Sequence, residues 1–473
     1  MQRRKFIQLT AMSSAAIGLS KYSFSEKKND FPDVRTPINL RKFSSPAVEK
    51  IISSVKNDIR NKEIAWLFGN CFPNTLDTTV DFEMINGKPD TYVITGDIDA
   101  MWLRDSSAQI WPYIPLCNSD KNLKQLIKGV INRQVKCILK DPYANAFYKD
   151  ENKISEWKET DITDMKPGIH ERKWEIDSLC YPVRLAHGYW KETRDTSVFD
   201  NDWLEAMRLI IQTFKQQQRY NGRGPYSFQR RTSWATDGVP LEGYGYPAKP
   251  NGLICSMFRP SDDATIFPYL IPSNFFAVES LKQMQELTAM HSGGKQTSNE
   301  AGILAGVVKK ALEQNAIIND KKSGNIYAYE INGYGSFNLM DDANVPSLLS
   351  LPYLDTIKRD NSIYQNTRKF ILSENNPFFF QGTAGEGIGS PHTGLDMIWP
   401  IAIIMRGLTS INDAEIKYCI KILQKSSAGT GFMHESFNKN EVGKFTRKWF
   451  AWANTLFGEF VWKLYQNKPG LLN

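Results

Sequence analysis

The sequence predicts a mainly helical domain built from two layers of helices, and three observations favour this fold class. Apolar residues recur at spacings of three and four along many stretches, for example at Val48, Ile52 and Val55, which is typical of amphipathic α-helices. Two other stretches, 397–405 and 266–271, are apolar around their whole circumference, and such segments lie inside a structure. Runs with the alternating pattern of β-strands are few.

Each predicted helix follows from a stripe of valine, leucine, isoleucine or an aromatic residue at helical spacing. The predicted helix 121–139 comes directly after the polar segment Asn118-Ser119-Asp120, which ends the preceding element. Long loops rich in glycine, proline and aromatic residues lie over 220–260 and 376–395, and loops of that length usually build a site. The predicted helices are 46–60, 121–139, 174–192, 202–215, 274–290, 301–314, 361–373, 412–425 and 451–465.

Composition excludes several classes of protein. Apolar residues make up 41% of the 473 residues, which is normal for a globular protein. The net charge of +7 is spread along the chain, so no nucleic-acid partner is expected. No segment after the N-terminus has 18 uncharged apolar residues, and no membrane span is predicted. The six cysteines are irregularly spaced, which favours buried free thiols and leaves room for one disulfide. We expect a monomer with no metal and no cofactor.

The N-terminus has the pattern of an export signal. Arg3 and Arg4 precede a mildly apolar run over 9–19, as in a signal peptide. The paired arginines favour the twin-arginine route, and an ordinary Sec signal is the alternative. We therefore predict an export signal over 1–25, a polar tether over 26–45 and one domain over 46–473, with a periplasmic or secreted location.

The stretch from Thr95 to Tyr113 has the densest chemistry of the chain. Carboxylates and a guanidinium can hold sugar hydroxyls, and indole faces can cover the C–H surface of a sugar. The alternative is a helix start whose tryptophans fill the core. Its members are Asp97, Asp99, Trp102, Arg104, Asp105 and Trp111.

Four further stretches have a similar character. One carries Glu171, Arg172, Trp174, Glu175 and Asp177, where the alternative is acidic residues at a helix start. The next carries Arg259, Asp262 and Asp263; neighbouring carboxylates repel, and in a desolvated cleft one of them can keep its proton, as a general acid requires. Ser261 or Asp262 could instead cap a helix. The last two carry Glu386, His392 and Asp396, and then His434, Glu435, Arg447, Trp449 and Trp452.

These residues together indicate glycoside hydrolysis. The sequence contains no nucleophilic-serine elbow, phosphate loop or dinucleotide fingerprint. The available groups are carboxylates, arginines and aromatic faces, and two carboxyl groups are sufficient to hydrolyse a glycosidic bond.

The five stretches resemble those of glycoside hydrolase family 125, the exo-α-1,6-mannosidases of bacteria and fungi. The quoted motifs are TGDIDAMWLRDSSAQIWPY, ERKWEIDSLCYPVRLA, FRPSDDA, GIGSPHT with IWP, and HESF with FTRKWFAWANTLFGE. The resemblance covers nearly all of the chain after the predicted tether. It implies an all-α (α/α)6 barrel of two concentric layers and metal-independent hydrolysis of terminal α-1,6-linked mannose with inversion.

The resemblance also implies roles for residues. An aspartate of RPSDD is the general acid, which we assign to Asp262 rather than Asp263, and Glu435 of HESF is the general base. The expected partner is a mannose-containing oligosaccharide. The expected substrate-binding residues are Asp99, Trp102, Arg104, Asp105, Trp174, Arg259, Asp263, His392, His434 and Arg447.

Three other functions stay open from the sequence. An inverting glycosidase for another α-linked sugar could use the same barrel. A non-catalytic periplasmic glycan-binding protein would need the aromatic residues but not the Asp–Glu pair. An epimerase or lyase on a similar barrel would use a histidine or tyrosine as its base.

Overall fold

Helices alternate between an inner and an outer layer along the chain in the computed structural model, which describes residues 31–473. This range contains 13 α-helices and 17 short strands. The helices are α1 (Pro46–Asp58), α2 (Lys62–Cys71), α3 (Asn74–Thr78), α4 (Leu103–Ile110), α5 (Lys121–Lys140), α6 (Ile176–Thr193), α7 (Asn201–Gln217), α8 (Ile271–Thr288), α9 (Lys295–Asn315), α10 (Ser362–Ile371), α11 (Pro400–Thr409), α12 (Asp413–Ser426) and α13 (Ala451–Asn467).

The strands form small antiparallel sheets of two or three strands. Three of these sheets each include a strand that leads into a helix: Met101–Trp102 leads into α4, Tyr269–Leu270 into α8 and Met397–Ile398 into α11. The strands are β1 (Val80–Ile85), β2 (Lys88–Val93), β3 (Met101–Trp102), β4 (Ala146–Phe147), β5 (Asp161–Ile162), β6 (Ile169–Glu171), β7 (Gln229–Arg230), β8 (Tyr269–Leu270), β9 (Ile317–Asp320), β10 (Gly324–Tyr327), β11 (Glu330–Ile331), β12 (Phe337–Asn338), β13 (Phe379–Gln381), β14 (Glu386–Ile388), β15 (Met397–Ile398), β16 (Ser436–Asn438) and β17 (Phe445–Thr446).

The inner layer consists of α4, α6, α8, α11 and α13. Helix α4 packs against α6, α6 against α8, α11 against α13, and α13 against α4. Residues 341–356, a segment of turns, contact two inner helices: the Tyr181 hydroxyl of α6 donates to the Val345 carbonyl, and the Tyr353 hydroxyl donates to Glu459 of α13. Outer helices α5, α9, α12 and α2 pack on α6, α8, α11 and α13 respectively.

The helices of the two layers differ in how much of their surface is buried. Every residue from Pro400 to Met405 of α11 is buried, as expected for a stretch that is apolar on all sides. Outer helix α9 buries only the stripe that includes Leu304, Val308 and Leu312 and exposes Ile303. The core of the domain therefore lies between the inner ring and the inward faces of the outer helices.

The helices of the two layers also differ in how their N-terminal ends are capped. Most outer helices start with a polar side chain that accepts a backbone N–H, such as Asp120 for α5 and Asn412 for α12. The inner helices follow apolar residues or Glu175 and have no side-chain cap. Their first N–H groups instead donate to neighbouring loops, as Leu103 does to the Asn145 carbonyl. The inner helices are thus fixed at their N-terminal ends by tertiary contacts.

The structure agrees with the helical part of the predicted barrel. Each of the nine predicted helices is present; most ends differ by three residues or fewer, while α9 starts six residues before the predicted 301. The all-α description is too narrow, because 17 short strands are present in residues 31–473. The stretch 266–271 is only partly interior, since Ile266 is half exposed while residues 269–271 are fully buried.

The domain begins earlier than predicted. The compact unit starts at Val34, so residues 34–45 of the predicted tether belong to it. Arg35 donates to Glu49 on α1 and to Asp77 on α3, at 2.9 and 2.7 Å, and the Phe43 N–H donates to the Leu76 carbonyl. The predicted export signal over 1–25 lies outside the described residues.

All six cysteines are buried and free, in agreement with the predicted buried thiols. No helix among residues 31–473 has the length and hydropathy needed to cross a bilayer. The same part of the chain contains no group of three or more side chains arranged to hold a metal ion.

Candidate active site

The chemistry-bearing stretches meet because each lies at the N-terminal end of an inner helix. Arg104 and Asp105 open α4, and Asp177 opens α6. Asp262 precedes β8 and α8, while Glu435 and Arg447 flank the β16–β17 hairpin before α13. Ion pairs between these residues, described below, bring the N-terminal ends of the inner helices to one side of the ring.

Arg104 is the centre of one half of the site. Its Nη1 lies 2.5 Å from Glu175 Oε2 and 3.1 Å from Asp177 Oδ2. Its Nη2 lies 3.4 Å from Asp262 Oδ1, and its Nε lies 3.5 Å from Asp105 Oδ2. One guanidinium therefore faces four carboxyl groups, and all but Asp262 are buried.

The excess of carboxyl groups over cations affects their protonation. Burial raises the pKa of Asp177 to about 6 and also raises the pKa of Glu175, although the Arg104 charge opposes both changes. Burial likewise raises the pKa of Asp105 against the effect of Arg104. The Glu175 Oε1 and Asp177 Oδ1 atoms have no hydrogen-bond partner within residues 31–473. This cluster thus favours proton uptake near neutral pH.

The two adjacent aspartates of the RPSDD motif have different environments. The Asp262 side chain is 24% exposed, whereas Asp263 is 1% exposed. Asp262 has a φ of +69°, and this left-handed conformation turns neighbouring side chains to different sides. Burial raises the pKa of Asp263, and the nearby His392 ring opposes this rise. Of the two carboxyl groups, Asp262 is therefore the one that a ligand can reach.

Asp263 belongs to a second buried acidic group that sequence reasoning missed. The Ser261 hydroxyl donates to Asp342 at 2.7 Å and lies 3.4 Å from Asp263. Burial raises the pKa of Asp342 to about 6, with Arg259 opposing and Asp263 adding to the rise. Asp342 lies in a segment of turns without helical periodicity, so no pattern in the sequence identified it.

Glu435 lies in the other half of the site and is buried beside Arg447. Arg447 Nη1 is 3.5 Å from Glu435 Oε1. The same guanidinium donates two hydrogen bonds to Asp97 Oδ1, of 2.8 and 2.6 Å. Asp97 was in the first motif but not among the predicted site residues, although it holds the arginine beside Glu435.

A close backbone approach puts Asp97 next to the start of α13. Gly96 has a φ of +128° and bridges Phe450. A Cβ at this position would collide with the Trp449 carbonyl oxygen, so only glycine fits here. The glycine of the TGD triplet therefore lets the first motif approach the last one.

Asp105 connects the two halves. It contacts Arg104 and accepts a 2.7 Å hydrogen bond from the Thr95 hydroxyl. Its carboxyl group also interacts electrostatically with Asp262, which raises its pKa, and with Arg447, which lowers it. Asp262 and Glu435 thus lie around one group of charges, each with an arginine beside it.

Several predicted binding residues lie elsewhere. Trp174 is fully buried, and its Nε1–H donates to the Cys255 carbonyl at 2.7 Å, so its faces are covered by protein and it supports the core. Arg259 is buried against Glu330 at 2.7 Å. The Asp99 side chain is 78% exposed and faces Lys153 at 3.5 Å. None of these three side chains forms a hydrogen bond or ion pair with Arg104 or with its four carboxyl partners.

His434 also has a structural environment. It is fully buried and its ring stacks on Phe445 with 3.7 Å between centroids. Burial lowers the pKa of His434 to about 4, so the ring is neutral at physiological pH. The buried ring therefore stabilises the loop that carries Glu435.

Trp102 and His392 remain near the site. Trp102 lies two residues before Arg104, packs edge-on to His170, and has a buried Nε1–H without an acceptor in residues 31–473. His392 is half-buried on a 3₁₀ turn and influences Asp263. The half-buried His392 can therefore offer a polar atom to a ligand, whereas the Trp102 Nε1–H is enclosed by protein.

Comparison with known proteins agrees with this arrangement. Residues 61–462 match the family model described as metal-independent alpha-mannosidase (GH125). The chain belongs to glycoside hydrolase family 125. The family predicted from the motifs is thereby confirmed, and the protein is an α-mannosidase of the metal-independent class.

Individual relatives extend the match over most of the chain. A Streptococcus pneumoniae metal-independent α-mannosidase, solved in a non-productive complex with α-1,6-mannobiose, is 40% identical with a TM-score of 0.86 over 90% of this chain and 100% of its own. The meiotically up-regulated gene 157 protein of Schizosaccharomyces pombe is 41% identical over 93% of this chain and 90% of its own. A bacterial glucoamylase, 13% identical with a TM-score of 0.52 over 79% of this chain and 50% of its own, shares the fold.

Proposed function

We propose that this α-mannosidase removes terminal mannose from α-1,6-linked mannosides and inverts the anomeric configuration. The observation that carries the proposal is the pair Asp262 and Glu435, which lie around one charge cluster, each beside an arginine at 3.4 and 3.5 Å. An inverting glycosidase needs two such carboxyl groups, one as acid and one as base. The α-1,6 linkage is supported by the sugar named in the pneumococcal complex.

Asp262 is the general acid in this mechanism. It gives its proton to the glycosidic oxygen as the bond to the next sugar breaks. Its partial exposure supports this role over that of Asp263, which is enclosed by protein.

Glu435 is the general base. It removes a proton from a water molecule, whose oxygen attacks the anomeric carbon from the face opposite the leaving group. The water needs room between the two carboxyl groups, which in inverting enzymes are about 6.5–9.5 Å apart. Arg447, held by Asp97, keeps the carboxylate oriented toward the water.

The remaining polar atoms bind the sugar. Arg104 and Asp105 face the space between the acid and the base and can hold mannose hydroxyls. The half-buried His392 adds a further donor or acceptor. Release from the chain end only, which the family resemblance implies, requires a pocket that is closed beyond this sugar.

The protein is proposed to act outside the cytoplasm. The support is the Arg3-Arg4 pair followed by an apolar run, which matches a twin-arginine signal peptide. Expression of the full chain with its own N-terminus, followed by fractionation, tests this proposal. Mannosidase activity that remains entirely in the cytoplasm would contradict it.

The central experiment follows the anomer released from α-1,6-mannobiose by proton NMR. The proposal expects β-mannose first, with α-mannose appearing only by mutarotation. Early α-mannose would refute inversion, and no release of mannose would refute the linkage. Parallel incubations with α-1,2- and α-1,3-mannobiose test linkage preference, and isomaltose tests the alternative of another α-linked sugar.

A further inference from the structure

A buried ionic network of Lys173, Arg230, Glu171 and Asp237 contacts the main chain of Asp262 from the protein interior. Lys173 is 1% exposed, and its Nζ lies 2.7 Å from Asp237 Oδ1 and 3.3 Å from Glu171 Oε1. Arg230 joins the same two carboxylates at 3.2 and 3.0 Å. Burial acts to lower the pKa of Lys173, but Glu171 and Asp237 outweigh it and hold the pKa above its ordinary value. Lys173 is therefore a charged ammonium inside the protein.

The third partner of this ammonium is the main chain of Asp262. Lys173 Nζ donates to the Asp262 carbonyl oxygen at 2.9 Å. Asp262 is a non-glycine residue at a φ of +69°, a conformation that persists only where surrounding contacts impose it. The loop is also held by the Asp262 N–H, which donates to the Arg259 carbonyl, and by the Arg259 N–H, which donates to the Asp263 carbonyl.

The direction of the Asp262 carbonyl fixes the direction of its side chain. The flanking Ser261 and Asp263 are almost fully buried, and only Asp262 presents its carboxyl group to solvent and to Arg104. If the carbonyl were released, the backbone could relax from the left-handed region and the carboxyl group would move. A displacement of about 1 Å in a reacting group can reduce the rate by about 100-fold.

We propose that Lys173 is a positioning residue that holds the general acid Asp262 through its main-chain carbonyl. This inference rests on the proposed role of Asp262. The other groups packed around the ammonium support the assignment, because Glu171, Asp237 and the Phe258 ring at 5.1 Å also hold Lys173 in place. No partner of the network touches Glu435, so the general base is independent of it.

The test compares two substrates that differ in their need for an acid. The leaving sugar of α-1,6-mannobiose must be protonated, whereas dinitrophenol leaves as a stable anion. For Lys173→Met we expect kcat on mannobiose to fall about 100-fold with KM changed by less than about threefold. On dinitrophenyl α-mannoside the same variant should lose less than about threefold in kcat.

Two reference variants calibrate the result. Asp262→Asn should show the same dependence on the leaving group, since it removes the acid itself. Lys136→Met replaces a half-exposed lysine that pairs with Asp90 at 2.7 Å on β2 and should change neither rate. Should Lys173→Met fail to fold, Asp237→Asn weakens the anchor of Lys173 while keeping the lysine, and it should give a smaller loss confined to mannobiose.

The outcomes separate this inference from the proposed function. An equal loss on both substrates in a folded Lys173 or Asp237 variant would overturn the positioning role, because a general structural defect affects every substrate. A wild-type enzyme inactive on both substrates, or an Asp262→Asn variant without leaving-group dependence, would overturn the proposed acid and this inference together. Loss on mannobiose alone supports both.

Discussion

Replacement of Asp177 by asparagine should change how the stability of the protein depends on pH. Asp177 is fully buried, and its Oδ2 contacts Arg104 Nη1 at 3.1 Å. Burial raises the pKa of Asp177 from an ordinary 3.8 to about 6, although Arg104 opposes the rise. Asparagine keeps the shape of the side chain but cannot titrate.

The sign and size of the effect follow from the difference in pKa between the folded and unfolded states. Below about pH 4 the carboxyl group is protonated in both the folded and the unfolded state, so its ionisation does not change the free energy of unfolding. As the pH rises through about 6, the unfolded chain has already lost this proton, so the wild-type protein loses stability. One unit of pKa corresponds to about 1.4 kcal/mol, so the rise to about 6 amounts to about 3 kcal/mol.

Urea denaturation of wild type and Asp177→Asn at several pH values between 4 and 8 tests this prediction. The free energy of unfolding of the variant, relative to wild type, should increase by about 3 kcal/mol from pH 4 to pH 7. A relative stability that is flat over this range would refute the reasoning.

Asp195→Asn is a control of opposite sign. Although burial opposes it, hydrogen bonds from Ser197 and Tyr189 hold the pKa of Asp195 below its ordinary value. Its contribution is therefore present above about pH 4 and is lost as the pH falls. The relative stability of Asp195→Asn should therefore stay nearly constant between pH 4 and 8, and it should increase as the pH falls below about 4.

Three other changes test the site and the start of the domain. Glu435→Gln should lower kcat on mannobiose by about 10²–10⁴-fold while calorimetry still detects sugar binding; retained hydrolysis would contradict the base assignment. Asp97→Ala removes both hydrogen bonds that hold Arg447 and should lower kcat about tenfold or more, with a thermal midpoint close to wild type; an unchanged kcat would show that Arg447 is held by other contacts. Arg35→Ala removes the nearer guanidinium partner of the buried Asp77, at 2.7 Å, and leaves only Arg41 at 3.6 Å. It should reduce the free energy of unfolding by about 3 kcal/mol in urea; unchanged stability would mean that the first described residues are peripheral.

Helix positions could be predicted well because they depend on local patterns. The stripe from Leu123 to Ile138 and the Asp120 cap define α5 without reference to any other part of the chain. The inner helix α11 was also predictable as interior from its apolar circumference. The short strands were not predicted, because pairs of two residues such as Met101–Trp102 have no period to detect and exist only through their partners.

The site could be predicted in its chemistry but only partly in its geometry. The motifs contained both proposed catalytic carboxylates and the two arginines beside them. The same motifs contained Trp174 and Asp99, which the fold directs respectively into the core and into solvent. Asp97 and Asp342 were not selected, since their role arises from partners that are distant in sequence, Arg447 and Ser261.

The sequence alone determined the helical class, the family, the supply of acidic, basic and aromatic side chains, and the absence of the motifs of other chemistries. These properties are local, because periodicity, capping and motif spacing act within a few turns of chain. The tertiary structure decided which of two adjacent aspartates reaches solvent, and it gave Asp262 a buried lysine behind it. It also brought Arg447 between Asp97 and Glu435. Burial and ion pairing depend on which chain segments come into contact, and the packing of the inner helices determines those contacts.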